Sequence, residues 1–196
     1  HHTTEDLSIL RALPGITVVA PSTAWEAGQA TQLLVKRGGV SYLRLDKTAA
    51  KEQDINDNIF ALGAARRHNE GTDITLITTG GILVDVKEAS IELERLGFSL
   101  RVLGIHTLKP IDINEIILAA KETGGIITVE EHNKDGGLGS AVSEVCMDHS
   151  ILPKKFLRIG LNNIYSSIVG SQQYLKSRYM MDSNAIIKAT IDLLKD

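Results

Sequence analysis

The sequence contains one cysteine, Cys146, in 196 residues. A single cysteine cannot close a disulfide within the chain, and it cannot supply a metal site that needs several thiolates. Cys146 lies between Val142 and Met147 in an apolar stretch, so we expect it to be a small buried residue on a helix.

Clusters of positive charge and long apolar runs are also missing. The formal net charge is -3, and the lysine and arginine residues are scattered singly. This pattern argues against a surface that binds nucleic acid or an anionic membrane. No apolar run approaches the roughly 20 residues that span a bilayer. We therefore expect a cytoplasmic protein with a packed core and with neither nucleic acid nor membrane as a partner.

Capping-box spacing marks two helix starts in the first 47 residues. Thr3 and Asp6 have this spacing ahead of a leucine stripe that ends at Pro14. Thr23 and Glu26 have it ahead of a second apolar stripe, which predicts a second helix. The strands predicted on either side of the second helix cover residues 16–20 and 40–45.

The rest of the chain alternates between predicted strands and helices. Such alternation predicts an α/β fold with a mainly parallel sheet and helices on both faces. The predicted elements cover residues 74–78, 84–96, 100–104, 113–121, 126–130, 139–147, 156–160 and 185–194. A polar, glycine-free stretch after residue 45 is typical of a connector. We accordingly place a first domain at 1–47, a linker at 48–72 and a second domain at 73–196.

Two glycine-rich turns, residues 79–81 and 136–139, fall between a strand and a helix, where backbone amides can hold an anion. Neither turn completes a dinucleotide-binding or phosphate-loop motif. Tight turns are the simpler interpretation. The sequence predicts no cofactor-binding and no metal-ligating residue in this chain.

Several stretches resemble transketolases, the thiamine-diphosphate enzymes that move two-carbon ketol units. His-x-x-x-Glu-Asp-Leu at residues 1–7, followed by Leu-Arg-Ala-Leu-Pro-Gly and Val-Val-Ala-Pro-Ser, is similar to the end of their pyrimidine-binding domain. Residues 60–67, 73–80, 107–112 and 130–141 look like their carboxy-terminal half. The resemblance implies a carboxy-terminal remnant of the pyrimidine-binding domain at 1–47, followed by a Rossmann-like C-terminal domain.

His1 is the catalytic candidate that the resemblance implies. In transketolase-like enzymes the histidine at this point of the motif faces the thiazolium ring and contacts the donor sugar. Imidazole suits that task because it donates or accepts a proton near neutral pH. The pair His1-His2 is also what a purification tag leaves behind, and this alternative stays open.

Arg44, Asp46 and Lys47 are the substrate-binding candidates. Classical transketolases resemble this segment but place serine and arginine near positions 46 and 47, where they bind the sugar phosphate. Asp46 would repel a phosphate, and lysine lacks the bidentate fork of arginine. We therefore expect a substrate other than the common pentose phosphates, such as a nucleotide-linked or unphosphorylated sugar. Exposed charges at a strand end are the alternative interpretation of Asp46 and Lys47.

Glu130, Glu131 and His132 end a predicted buried strand, where sites in α/β proteins usually form. Adjacent strand residues point to opposite faces, so the two glutamates cannot chelate one ion together without a bend in the strand. We expect a structural or interface role for this segment, which the resemblance places near a subunit interface.

The resemblance also implies thiamine diphosphate and a divalent metal (Mg), bound mainly by parts absent from this chain, since the Gly-Asp-Gly motif of the family does not occur here. It implies an amino-terminal cofactor-binding domain or subunit as partner, a homodimer or heterotetramer, and a sugar substrate. We expect the chain alone to be inactive. The alternatives are a non-catalytic dimerisation or binding module, or the corresponding half of a deoxyxylulose-phosphate synthase or of a 2-oxoacid dehydrogenase beta subunit.

Overall fold

The structure is a computed structural model that describes residues 3–47, 50 and 59–195. The catalytic candidate His1 and residues 48–49 and 51–58 of the predicted linker lie outside the described residues. The elements in chain order are α1 (Asp6–Ala12), β1 (Thr17–Val19), α2 (Ala24–Arg37), β2 (Ser41–Leu43), β3 (Arg66–Asn69), β4 (Ile74–Thr78), a 3-10 turn (Gly80–Ile82), α3 (Leu83–Arg95), β5 (Leu100–Gly104), β6 (Thr107–Lys109), α4 (Ile113–Glu122), β7 (Ile126–Asn133), α5 (Leu138–Asp148), β8 (Phe156–Leu161), α6 (Gln172–Arg178) and α7 (Ser183–Lys195).

The larger sheet has the strand order β3-β5-β4-β7-β8. Its four neighbouring strands β5, β4, β7 and β8 are parallel, whereas β3 joins the edge antiparallel to β5. Parallel strands need crossover helices, and the order of elements supplies α3, α4 and α5 between them. The predicted α/β fold with a mainly parallel sheet is therefore confirmed.

Alternate residues of the central strands face opposite layers of helices. Leu76 and Val102 belong to one apolar cluster, which includes buried residues of α3 and α7. Ile77 and Leu103 belong to the other, which includes buried residues of α1, α4 and α5. Because side chains alternate along a strand, both faces of the sheet are covered by helices, as expected.

The smaller sheet ties the first segment to the rest of the chain. Strand β1 pairs in parallel with β2 and antiparallel with β6, so the order is β2-β1-β6. Val18 and Ala20 lie in the same apolar cluster as Ile105 and Leu108. The first 47 residues and the second segment therefore share both a sheet and a core in this structure.

The structure adds elements that the sequence pattern does not indicate. Strand β3 lies within residues 48–72, so Arg66–Asn69 belong to the sheet and not to the predicted linker. Its sequence Arg-Arg-His-Asn is polar, so it lacks the apolar pattern that indicates a strand. Strand β6 has only three residues, and helix α6, with the sequence Gln-Gln-Tyr-Leu-Lys-Ser-Arg, has no apolar stripe.

The predicted capping box of α1 is wrong. The helix begins at Asp6 after Glu5, whose side chain makes no capping hydrogen bond to it. Instead, the Glu5 carboxylate accepts from the backbone and hydroxyl of the preceding residue, Thr4, at 2.8 and 3.0 Å. The predicted cap of α2 is confirmed, because the Thr23 hydroxyl accepts from the Glu26 amide at 3.1 Å. Among the helices that the structure describes, none combines the length and the apolar character that a bilayer crossing requires.

A buried ion pair joins α2 to the edge strand β3. The Glu26 carboxylate, on a residue 1% exposed, accepts from Arg66 Nη1 at 2.7 Å and from the Ser22 amide at 2.7 Å. The guanidinium of Arg66 lies 4.7 Å from the centre of the Trp25 ring. Strand β3 is thus held by charge as well as by backbone pairing.

Glu26→Ala should lower the free energy of unfolding by about 3–5 kcal/mol. The substitution removes the carboxylate that faces a buried guanidinium, and breaking a buried pair on one side costs this much. Urea unfolding followed by circular dichroism measures the change. Gln32→Ala on the exposed face of α2 is the matched control, with an expected change within about 0.5 kcal/mol. A loss below about 1 kcal/mol for Glu26→Ala would show that the pair does not hold the edge strand.

Candidate functional site

The end of the first segment packs against the turn that starts α3. Asp46 follows β2, and its Oδ2 accepts from the Gly81 amide at 2.6 Å. The Gly80 amide donates to the Ala20 carbonyl at 3.1 Å. Gly80 has a φ of +70°, and a Cβ there would collide with the Asp46 carboxylate. This turn therefore requires glycine both for its backbone conformation and for the approach of Asp46.

Arg44 lies at the centre of a charged cluster. Its Nε is 3.6 Å from Asp46 Oδ1 and 3.6 Å from Asp6 Oδ2. Its Nη2 donates to the Glu131 carbonyl at 3.0 Å. Since the Arg44 side chain is 13% exposed, its charge is shared between two carboxylates inside the protein. Arg44 thus links the first segment to β7.

The structure brings two of the four predicted site residues into contact. Arg44 and Asp46 form an ion pair that faces the protein interior. Lys47 follows Asp46 but is exposed. The role of these three residues toward a substrate stays a prediction. From the sequence we expect the Asp46 carboxylate to repel a phosphate. In the structure this carboxylate has both a backbone donor, Gly81, and a cation, Arg44, beside it.

Glu130 fills the second glycine-rich turn. The residue is fully buried, and its carboxylate accepts from the amides of Leu138 at 2.7 Å and Gly139 at 2.9 Å, at the start of α5. Burial raises the pKa of Glu130 to about 7, while the two amides oppose that shift. The carboxylate is the form that accepts from both amides, so Glu130 acts as an internal cap of α5. The structural or interface role that we expect for this segment stays a prediction, and the geometry adds that two amides of this chain hold the Glu130 carboxylate.

Glu131 points away from Glu130, as strand alternation requires. Its carboxylate accepts from Gln172 Nε2 at 2.8 Å, on α6. Burial raises the pKa of Glu131. One turn further along α6, Lys176 forms a buried ion pair with Asp85 of α3. These α6 residues give no signal in the sequence, because the helix has no apolar stripe and its buried residue is a lysine.

The donor groups described here do not fit the diphosphate or the metal of the cofactor that the resemblance implies. The amides of Gly81, Leu138 and Gly139 already donate to internal carboxylates. Within residues 3–47, 50 and 59–195, no group of three or more histidine, cysteine, aspartate or glutamate side chains is placed to hold a metal ion. Both glycine-rich turns thus bind anions, but the anions are side chains of this chain.

Asp46→Ala should lower the free energy of unfolding by about 1–2 kcal/mol, because an acceptor lost at a helix start costs about this much. Thermal or urea unfolding measures the difference. Lys47→Ala, at the neighbouring exposed position, serves as the control and should stay within about 0.5 kcal/mol of the parent chain. Equal stabilities of the two variants would contradict the internal role of Asp46.

Comparisons with known proteins agree with the fold. The family model "Transketolase, C-terminal domain" matches residues 63–186. One of the subunits of the apulose-4-phosphate transketolase of Phocaeicola vulgatus is 33% identical over 196 residues, which is 100% of this chain and 62% of that protein. A 6-deoxy-6-sulfo-D-fructose transketolase subunit from a Clostridium species is 32% identical over 189 residues, covering 96% of this chain and 58% of that protein.

A solved structure, described as a split gene transketolase in an inactive beta4 tetramer, superimposes with a TM-score of 0.88 at 30% identity. The superposition covers 100% of this chain and 62% of that one. The chain thus spans about three fifths of the length of these relatives. The matched residues, the identity over the full chain and the shared fold together show that this chain belongs to the transketolase family and carries its C-terminal domain.

Proposed function

We propose that this chain is the C-terminal part of an enzyme that transfers a two-carbon ketol unit between sugars, and that an amino-terminal cofactor-binding domain or subunit completes it. The main support is the match to transketolase subunits. The match covers nearly all of this chain but only about three fifths of the length of those subunits. Two relatives are named as subunits, which supports a split enzyme.

The proposal assigns thiamine diphosphate and Mg²⁺ to the other part of the assembly. Support comes from the two glycine-rich turns, whose amides donate to Asp46 and Glu130 and so offer no cradle for a diphosphate. The described residues contribute instead a rigid frame, in which the first segment is joined to the C-terminal sheet through β6 and Arg44.

Within that assembly we assign His1 to the reacting sugar. An imidazole donates or accepts a proton near neutral pH, which suits an intermediate whose oxygen gains and loses a proton. His2 has no assigned role and provides a neighbouring control.

We also propose that the sugar is not one of the common pentose phosphates. The support is Asp46, where a carboxylate tied to Gly81 and Arg44 replaces the serine that would bind the phosphate. Lys47 is then the exposed cation of this segment. The names of the two relatives refer to apulose 4-phosphate and 6-deoxy-6-sulfo-D-fructose, which are neither xylulose 5-phosphate nor ribose 5-phosphate.

A second candidate function is assembly without chemistry. The specific observation is the similar solved chain, which is described as an inactive beta4 tetramer. On this proposal the chain associates with copies of itself when the amino-terminal part is missing, and with that part it forms a homodimer of complete units or a heterotetramer.

Reconstitution tests these proposals. A version of the chain extended upstream of His1 is mixed with the candidate amino-terminal subunit, thiamine diphosphate and Mg²⁺, and ketol transfer is followed by mass spectrometry over a panel of donor and acceptor sugars. We expect transfer by the mixture and none by this chain alone. His1→Ala should lower kcat by about 10²–10⁴-fold, as for the loss of an acid-base group, whereas His2→Ala should change it less than about twofold.

Two results would overturn parts of the proposal independently. Absence of transfer with every amino-terminal partner leaves assembly as the function. A marked preference for xylulose 5-phosphate with ribose 5-phosphate removes the substrate assignment but keeps the enzyme.

A further inference from the structure

His132 is a fully buried histidine with hydrogen-bond acceptors on both sides of its ring. On one side, Nδ1 lies 2.6 Å from the Asn133 carbonyl oxygen and 3.7 Å from Glu130 Oε2. On the other, Nε2 lies 3.8 Å from Asp6 Oδ1, and the Glu5 carbonyl also faces the ring. The ring therefore connects strand β7 to the start of α1.

The contacts of Nδ1 determine which ring nitrogen carries the proton. A carbonyl oxygen can only accept, so Nδ1 must donate its hydrogen to Asn133. In a neutral imidazole, Nε2 is then unprotonated and presents a lone pair to the Asp6 carboxylate. Consistent with this, both Nε2 of His132 and Oδ1 of Asp6 are buried without a hydrogen-bond partner.

The other carboxylate oxygen of Asp6, Oδ2, contacts Tyr42 and Arg44. Oδ2 accepts from the Tyr42 hydroxyl at 2.8 Å and lies 3.6 Å from Arg44 Nε. Burial and the charge of Arg44 lower the pKa of His132, while Asp6 and the carbonyls of Asn133 and Glu5 raise it. The effect of burial on the pKa is larger than that of the acceptors, so the ring is neutral at neutral pH. A second proton, on Nε2, would nevertheless find an acceptor beside it.

The same strand end holds the residues just before Asp6. The Asn133 amide donates to the Thr4 carbonyl at 2.7 Å, and its side-chain Nδ2 donates to the Thr4 hydroxyl at 3.4 Å. Residues 4–6 thus lie against the last two residues of β7. In the sequence, His1 stands three positions before Thr4.

We propose that His132 is a positioning residue for residues 4–6. Its neutral form, protonated at Nδ1, sets the separation between β7 and Asp6. When Nε2 takes up a proton from solvent, it gains a donor that Asp6 accepts, the gap between the two atoms closes, and residues 4–6 shift toward β7. The consequence for catalysis rests on the proposed function, because it passes through His1, whereas the proton uptake and the shift do not.

Nitrogen-15 NMR of the full chain tests the proton position directly. We expect the Nδ1-protonated tautomer at pH 7.5, and burial should lower the pKa of His132 from its ordinary value. The backbone amides of Thr4 and Asp6 should shift with that same pKa. An Nε2-protonated tautomer, or amides of Thr4 and Asp6 that do not respond, would each overturn the proposal.

His132→Asn separates positioning from stability. An asparagine amide can replace Nδ1–H toward Asn133 but offers nothing at the Nε2 position and does not titrate. The titration of the Thr4 and Asp6 amides should disappear in this variant. His149→Asn, at an exposed position that ends α5, is the matched control and should leave that titration intact. Persistence of the titration in a folded His132→Asn chain contradicts the proposal, and if the variant does not fold, the NMR of the parent chain still decides.

In the reconstituted enzyme, kcat should fall about tenfold per pH unit below the pKa of His132, as expected for a single essential ionisation. His132→Asn should remove that acidic limb and keep KM within about twofold. Identical pH profiles for the two enzymes would exclude a positioning role in catalysis. Because the NMR experiment needs no activity, a failed reconstitution overturns the proposed function without deciding the role of His132.

Discussion

The structure depends on two internal carboxylates that fill amide-lined turns at the starts of helices. Asp46 accepts from Gly81 ahead of α3, and Glu130 accepts from Leu138 and Gly139 at α5. An anion at a helix N-terminus contributes roughly 0.3–1 kcal/mol at a surface and up to about 2 kcal/mol when partly buried. Besides this contribution to the free energy of folding, the two carboxylates fix the positions of the segments that carry them. Asp46 holds the end of the first segment against the start of α3, and Glu130 holds the end of β7 against the start of α5. The two contacts thus fix where these segment ends lie relative to the helices.

Over the residues that the structure describes, the two predicted domains pack against each other as one unit. Strand β1 pairs with β6 from the second segment, and the apolar side chains of both segments meet in one cluster. Arg44 adds a charged link to β7. The first segment is thereby stabilised by the sheet that follows it.

Sequence patterns predicted most of the fold because its central elements are strongly apolar. The pattern predicts strands at residues 74–78 and 100–104, and these are β4 and β5. Each strand has three large apolar residues among its five, and all five residues of each are buried. Strand β3 could not be predicted in this way. Its residues Arg66–Asn69 are polar, and as a strand they pair with the edge of β5 and contact the carboxylate of Glu26.

The site was predicted only in part, for a related reason. The sequence indicates that Asp46 is unusual, but its contact with Gly81 joins residues 35 positions apart and follows from tertiary packing. The contacts of Glu131 with α6 and of His132 with Asp6 are also long-range. Local spacing shows which side chains carry chemistry, whereas their partners are set by how the sheets and helices come together.

The surroundings of Gly137 limit which residue this position can hold in this chain. The backbone there has an ordinary φ of -79°, so conformation alone would admit any residue. A Cβ would instead collide with the carboxylate of Glu130 and would also lie 2.8 Å from Nδ1 of His132. Any side chain at position 137 would therefore expel the acid and leave two helix amides without their acceptor. Shortening the acid would not by itself make room, because the imidazole of His132 closes the same space.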